Sequence, residues 1–302
     1  MTEEKKFSDR DITQFFPLNF WKMHGCGNDF ILFHIEKPIT DYQLGSLAQY
    51  LCNRNFGIGA DGIIVSVPSG TADFGMRIFN LDGSDGEMCI NGIRCFAKYQ
   101  FDQGQVSETS RISGRISIET TVSVAEVAVK RDESGFVTRA SITLPHPSFN
   151  PSDCGVTTAN HSDNISVQVD EHVIDLQLVS MGNPHAIHWL SEGHRTTDYE
   201  LIRIGPRVEI DATFREKTNF EIAELLGPNY IRARVWERGV GETLACGSGA
   251  CAVMASAHSR GLVGDLAIIS MPGGELSVEW SGDGPITLEG AVTKVFEATI
   301  ES

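Results

Sequence analysis

From Phe20 onward, apolar and polar residues alternate in short runs broken by glycine, the period-two pattern of half-buried strands. The pattern predicts strands at 116–120, 124–130, 141–144, 165–169, 173–180, 231–237, 266–271 and 275–280. Two segments keep helical spacing instead, and both follow glycine-rich turns. Ile93, Phe96 and Ala97 share one face of the first. Ala250, Val253, Met254 and Ala257 keep the i, i+3, i+4, i+7 spacing of the second, and Gly261 suits its C-terminal cap. Residues 1–17, MTEEKKFSDRDITQFFP, read as a loose charged extension. Residues 146–164 are rich in Pro, Ser, Asn and Asp and read as loop, with a domain boundary expected near residue 143.

The pattern also repeats. Arg77 to Ala97 reads RIFNLDGSDGEMCINGIRCFA, and Arg234 to Ala252 reads RVWERGVGETLACGSGACA. Aligned without gaps from the arginine, Ile78 meets Val235, Phe79 meets Trp236, Cys89 meets Cys246 and Gly92 meets Gly249. Upstream, Gly27-Asn28 echoes Gly182-Asn183 at about the same distance. Two copies at so long a period do not make a solenoid. They imply two related domains, each with a strand, a glycine-bearing loop, a cysteine and a helix.

Composition narrows the function. The 302 residues carry 24 basic and 40 acidic side chains, a formal charge of −16, with no basic stripe to meet a phosphate backbone. No apolar run reaches the roughly 18 residues of a membrane span, and the charged N-terminus lacks the apolar centre of a secretory signal. The expectation is a cytoplasmic protein with a small-molecule substrate and neither nucleic-acid nor membrane partner. The cysteines number 7, an odd count with no C-x-x-C pair, which argues for reduced thiols and against a structural zinc site. Glycine, at 30 residues, exceeds the usual ~7% and gathers in short strings beside those cysteines.

Cys26, Cys52, Cys95, Cys154 and Cys251 read as small packed hydrophobes. Cys89 and Cys246 form a matched pair at two helix starts, where unpaired N–H groups and the helix dipole favour negative charge. A free thiol is only about 3% ionised at pH 7, so each site could tune a cysteine as base or acid. The loops Ile90-Asn91-Gly92 and Gly247-Ser248-Gly249 offer backbone N–H groups to an anion. Together they suit proton removal beside a carboxylate, where an enolate-like transition state needs preorganised donors. Thiolate on one face and thiol on the other would invert an α-carbon without a cofactor. A pyridoxal enzyme needs a Schiff-base lysine, and the glycine-rich motifs contain none.

At these residues the chain resembles the diaminopimelate epimerases, pyridoxal-independent enzymes of lysine and cell-wall precursor synthesis. The resemblance is carried by FWKMHGCGNDFILF (residues 20–33), RNFGIGADGIIV (54–65), VSMGNPHAI (179–187) and the two cysteine segments. It implies an α+β fold of two pseudo-symmetric domains, each a curved, mostly antiparallel sheet around a central helix. These would span 18–142, joined by a returning strand in 291–302, and 143–290, with the active site in a cleft between them. It implies Cys89 and Cys246 as the catalytic acid/base pair, assisted by His185 and Glu237. Substrate-binding positions would be Asn28, Asn80, Asn183, Asn219, Glu237 and Arg238, with the backbone of Ile90, Asn91, Gly247 and Ser248 clamping the reacting carboxylate. No cofactor or metal is expected, and the family is homodimeric. Amides and one arginine suit a substrate with an amino acid at each end. Taken singly, Asn80 or Asn183 reads as a turn residue and His185 as a strand histidine.

Two positions depart from the family pattern. Ile90 stands where glycine is favoured, which would be awkward if that residue needed φ > 0. Gly62 replaces a glutamine that touches substrate in some members. The alternatives are a related racemase of another amino acid, such as histidine or lysine, and a non-catalytic dicarboxylate-binding protein. A one-carboxylate substrate would leave Arg238 unpaired, and a binding protein would leave the cysteine pair unexplained.

Overall fold

The computed structural model describes residues 12–35, 39–86, 88–157 and 162–301. The chain forms two compact units, one running to Ala140 and taking in the C-terminal strand from Val292, the other comprising Ser141–Ala291.

In the first unit, β1 (Leu18–Gly25) pairs antiparallel with β2 (Asn28–His34) on one side and with the C-terminal strand on the other. The chain then makes α1 (Asp41–Leu51) and returns as β3 (Gly62–Val67), parallel to β2. β4 (Phe74–Asn80) runs antiparallel to β3. Helix α2 (Ile90–Asp102) and the short α3 (Glu108–Ser113) precede β5 (Arg115–Glu119), which is parallel to β4 and antiparallel to β6 (Val124–Arg131). β7 (Val137–Leu144) carries the chain across the unit boundary.

The second unit repeats this plan. β8 (Asn164–Val169), β9 (His172–Ser180) and β10 (Pro184–Trp189) run antiparallel in turn. After α4 (Leu201–Glu209) comes β11 (Asn219–Gly227), parallel to β10, then antiparallel β12 (Tyr230–Glu237) and the short β13 (Gly241–Thr243). Helix α5 (Gly247–Ser259) crosses to β14 (Leu266–Met271), parallel to β12, and β15 (Gly274–Glu279) and β16 (Ile286–Ala291) follow antiparallel. β17 (Thr293–Ile300) is the strand that returns to β1.

Both α2 and α5 are buried around their whole circumference, unlike the one-faced helices the spacing suggests. Every residue from Asn91 to Phe101, and from Gly249 to Ala257, is buried. A helix wrapped by its own sheet has no solvent face, and the alanines and glycines of α5 let the strands approach closely. In the first unit, Ile31, Phe33, Ile63 and Val65 pack with Leu44, Leu47 and Leu51 of α1. Ile64 faces α2 instead, close to Gly92.

Residues 1–11 of the expected loose extension lie outside the described residues. In its remainder Ile12 and Phe15 belong to the core, and Phe16 sits edge-on to Tyr50 with ring centroids 6.0 Å apart, while Gln14 and Pro17 are exposed. The expected loop at 146–164 holds a 3-10 turn, Pro151–Cys154, whose Cys154 and neighbouring Val156 enter the second core; residues 158–161 lie outside the described residues.

Candidate active site

The two echoed cysteines are the N-cap residues of the two central helices. Cys89 caps α2 with Sγ accepting from Gly92 N–H at 3.4 Å, and Cys246 caps α5 with Sγ accepting from Gly249 N–H at the same distance. Serine, threonine, aspartate or asparagine normally fills this place. Each sulfur therefore sits against the positive end of a helix, ringed by N–H groups that have no intrahelical acceptor. Ile90 is the first helical residue and is not among the non-glycine residues with positive φ, so its lost glycine costs no backbone strain.

Around Cys89, the first unit builds a polar network. The thiol donates to Asn28 Oδ1 at 3.5 Å, and Asn91 Nδ2 approaches the same oxygen at 3.4 Å. Asn28 Nδ2 donates to Asp61 Oδ2 at 2.9 Å, which fixes the amide so that its oxygen faces the sulfur. Arg54 bridges Asp61 and Asp29, and Lys22 also pairs with Asp29. Burial would raise the Asp29 carboxyl, but the hydrogen bonds from Arg54 and Lys22 prevail and bring it down to about 2. Buried Arg94 donates to Asn91 Oδ1 at 2.6 Å. Asn80 is exposed and donates to Ser84 Oγ at 3.0 Å within its own turn. A Cβ at Gly62 would lie 2.6 Å from the Phe79 carbonyl oxygen, so glutamine could not enter without moving backbone.

Around Cys246, the second unit is more enclosed and more acidic. Cys246 is 7% exposed; Ser248 Oγ lies 3.4 Å from its sulfur, and Glu237 also hydrogen-bonds to it. Burial first, and then the charges of Glu237 and Glu221, push this thiol well above its ordinary range despite the helix dipole. The Glu237 carboxyl is also raised, chiefly by burial, although Thr243 Oγ1 donates to it. Asn183 Nδ2 donates to Ser248 Oγ at 3.3 Å, and its Oδ1 lies 3.1 Å from His185 Nε2. Thus Asn183, His185, Glu237, Gly247 and Ser248 gather about Cys246, as Asn28, Ile90 and Asn91 gather about Cys89.

Asn219 is placed differently from an open binding residue. Its Nδ2 donates to the Pro184 carbonyl at 2.8 Å and its Oδ1 accepts from Arg238 N–H at 3.0 Å, so the amide braces the Glu237–Arg238 turn. Glu209 braces the same turn, accepting from Gly239 N–H at 3.0 Å and from Trp236 Nε1 at 2.8 Å. Arg238 itself donates to the Glu216 carbonyl. Asp61, Glu209 and Glu221 are the side chains that sequence reasoning missed. Asp61 lies within a quoted motif, whereas Glu209 and Glu221 look like ordinary strand-edge or helix glutamates.

The other thiols fit a packing role. Burial pushes Cys52 and Cys95 up to about 12 and Cys154 up to about 11. Among the described residues, no cluster of three or more His, Cys, Asp or Glu is arranged to hold a metal ion, and no helix is long and apolar enough to cross a membrane.

Comparison with solved structures places this two-domain α+β fold in a known class. It superposes on a PhzF-family phenazine biosynthesis protein of Bacillus anthracis with TM-score 0.66, at 15% identity, covering 94% of this chain and 99% of that one. The family is more specific. The diaminopimelate epimerase profile matches residues 20–138, inside the first unit, and 177–295, inside the second apart from its last four residues, and the chain belongs to that family. The diaminopimelate epimerase of Methanococcus maripaludis is 38% identical across 94% of this chain and 100% of its own. That of Synechococcus elongatus is 39% identical across 94% and 98%.

Proposed function

We propose that the chain epimerises LL-diaminopimelate to the meso form, and back, with Cys89 and Cys246 as opposed acid and base at one α-carbon. The observation that carries this reading is the duplicated N-cap: two cysteines, each holding its sulfur on the free N–H groups of a fully buried helix. A structural cap would not require cysteine twice. The remaining N–H groups of Ile90, Asn91, Gly247 and Ser248 are suited to a substrate carboxylate whose charge grows as the α-proton leaves. Arg238 is suited to the carboxylate of the distal end and Glu237, hydrogen-bonded to Cys246, to the ammonium beside the reacting carbon, with Asn28, Asn80 and Asn183 completing the polar lining. One sulfur takes the α-proton as thiolate while the other, as thiol, delivers one to the opposite face. On the family pattern the protein is cytoplasmic and homodimeric.

The test is direct. Purified protein incubated with LL-diaminopimelate should yield the meso isomer by chiral chromatography, and a panel including histidine and lysine should remain unchanged. Racemisation of one of those amino acids instead would replace the substrate, and binding without α-hydrogen exchange would replace the reaction.

A further inference from the structure

The second unit contains a buried polar pair where the first has only hydrocarbon. Asn28 and Asn183 are twins in the echo, so Phe30 and His185, each two residues on, are twins as well. The parallel registers agree: Phe30 faces Gly62 across β2–β3, and His185 faces Asn219 across β10–β11. Two residues further along, Ile64 therefore corresponds to Glu221. The helices give the same answer independently. A Cβ on Gly92 would lie 2.9 Å from Ile64 Cδ1, and a Cβ on its twin Gly249 would lie 2.7 Å from Glu221 Oε1. One scaffold position thus holds Phe30 and Ile64, 3% and 0% exposed, and in its copy His185 and Glu221, both 0% exposed.

Burying a carboxylate and an imidazole where the twin position holds two hydrocarbons is unfavourable unless the pair has work to do. Glu221 Oε1 lies 2.7 Å from His185 Nδ1, while Glu221 Oε2 is buried without a hydrogen-bond partner among the described residues. From the other ring nitrogen a chain continues: His185 Nε2 to Asn183 Oδ1 at 3.1 Å, Asn183 Nδ2 to Ser248 Oγ at 3.3 Å, and Ser248 Oγ to Cys246 Sγ at 3.4 Å.

We propose that Glu221 is a positioning residue: it anchors His185 through Nδ1 and makes Nε2 the ring atom whose proton is matched, through Asn183 and Ser248, to that of Cys246. The inference rests on the epimerase reading, which gives Cys246 its role. The donor and acceptor count allows two arrangements. With the ring doubly protonated, Nε2–H donates to Asn183, Asn183 donates to Ser248, and Ser248 donates to a Cys246 thiolate that also accepts from Gly249 N–H. With the ring neutral, Nε2 must accept, so the Asn183 amide turns over and the chain ends with the Cys246 thiol donating to Ser248. Both arrangements hold the same number of protons, and in both the Glu221 carboxylate keeps Nδ1 protonated. Phe30 and Ile64 permit no such chain, so this matching belongs to the Cys246 side alone.

The test combines kinetics, histidine NMR and melting of the full chain. In Glu221→Gln, kcat for LL-diaminopimelate should fall by about 10²-fold or more, as expected when a histidine loses the carboxylate that fixes its tautomer. KM should stay within about threefold, because the loss is not one of substrate binding. In 15N-histidine-labelled wild-type protein, the His185 ring should show a proton on Nδ1, and that signature should weaken in Glu221→Gln. The double variant His185→Phe/Glu221→Ile, which copies the first unit, should melt no lower than wild type yet not epimerise. A Glu221→Gln enzyme with near-normal kcat, or a wild-type ring lacking the Nδ1 proton, would overturn the assignment. Should wild type leave diaminopimelate unchanged, the reaction reading fails, while the NMR and melting results still decide the role of Glu221.

Discussion

The two cysteines occupy one scaffold position in two surroundings. Each caps a buried helix with its sulfur on the N–H of the third residue onward. Cys89 is half-buried and faces an amide whose orientation Asp61 fixes, beside a network rich in arginine and lysine. Cys246 is buried between Glu237 and the His185–Glu221 pair. The helix dipole is common to both, so it cannot be what distinguishes them. Side chains two residues along neighbouring strands set the difference, and duplication of a fold has left each copy free to tune its own thiol.

The largest expected effect removes the shared feature. Cys89→Ala and Cys246→Ala should each lower epimerisation by about 10³-fold or more; near-normal turnover by either would break the pairing. Next is a transplant into the first unit. Ile64→Glu places an unpaired carboxylate where no histidine waits, and should cost about 3 kcal/mol of stability or more in denaturant unfolding. A loss below about 1 kcal/mol would mean that the two positions are not equivalent. Reactivity should follow surroundings: iodoacetamide should label Cys89 at least about tenfold faster than Cys246 at pH 7, because the attacking species is the thiolate. Reversed order, read by peptide mass spectrometry, would contradict the contrast.

A last effect is global and appears only at alkaline pH. Cys246, Cys52, Cys95 and Cys154 all have thiols raised above the ordinary value of 9.0. A raised folded-state value means that the folded protein holds the proton more tightly, so the contribution of Cys52, Cys95 and Cys154 is fully present below about pH 9 and is lost as pH climbs toward 11 or 12, with Cys246 shifted in the same direction. Each ionising thiol should add up to about 1.4 kcal/mol of destabilisation per pH unit in that window. Urea midpoints that stay level from pH 9 to 11 would refute these burials.

Much of this was legible in the chain. The echo from Arg77 and Arg234 marked both cysteines, their helices and the strands before them, because duplicated chemistry keeps its spacing. Strands with one wet face, such as β6 and β15, showed their alternation. β2 and β3 did not, because Phe30–Phe33 and Ile63–Val65 are buried on both faces and read as unbroken apolar runs. Helix α4 was hidden by Gly205 and Pro206 in its interior, although Gly205 is required by Trp236, whose ring atoms would lie 2.6 Å from any Cβ there. Helix α1 carried a readable start in the Thr40–Gln43 capping box. Glu221 was the hardest. In NFEIAELLG it resembles any outward-facing strand glutamate, and only continuing the echo from Asn183 would have set it against Ile64.

Inversion by two thiols needs two separate protons, one taken and one delivered by different sulfurs. The most direct measurement is the first turnover of LL-diaminopimelate in deuterated water, with isotope position read in both isomers by mass spectrometry. Deuterium should enter the meso product while unreacted substrate keeps its original α-hydrogen. Equal labelling of product and recovered substrate from the outset would indicate a single exchanging base and contradict the two-thiol mechanism.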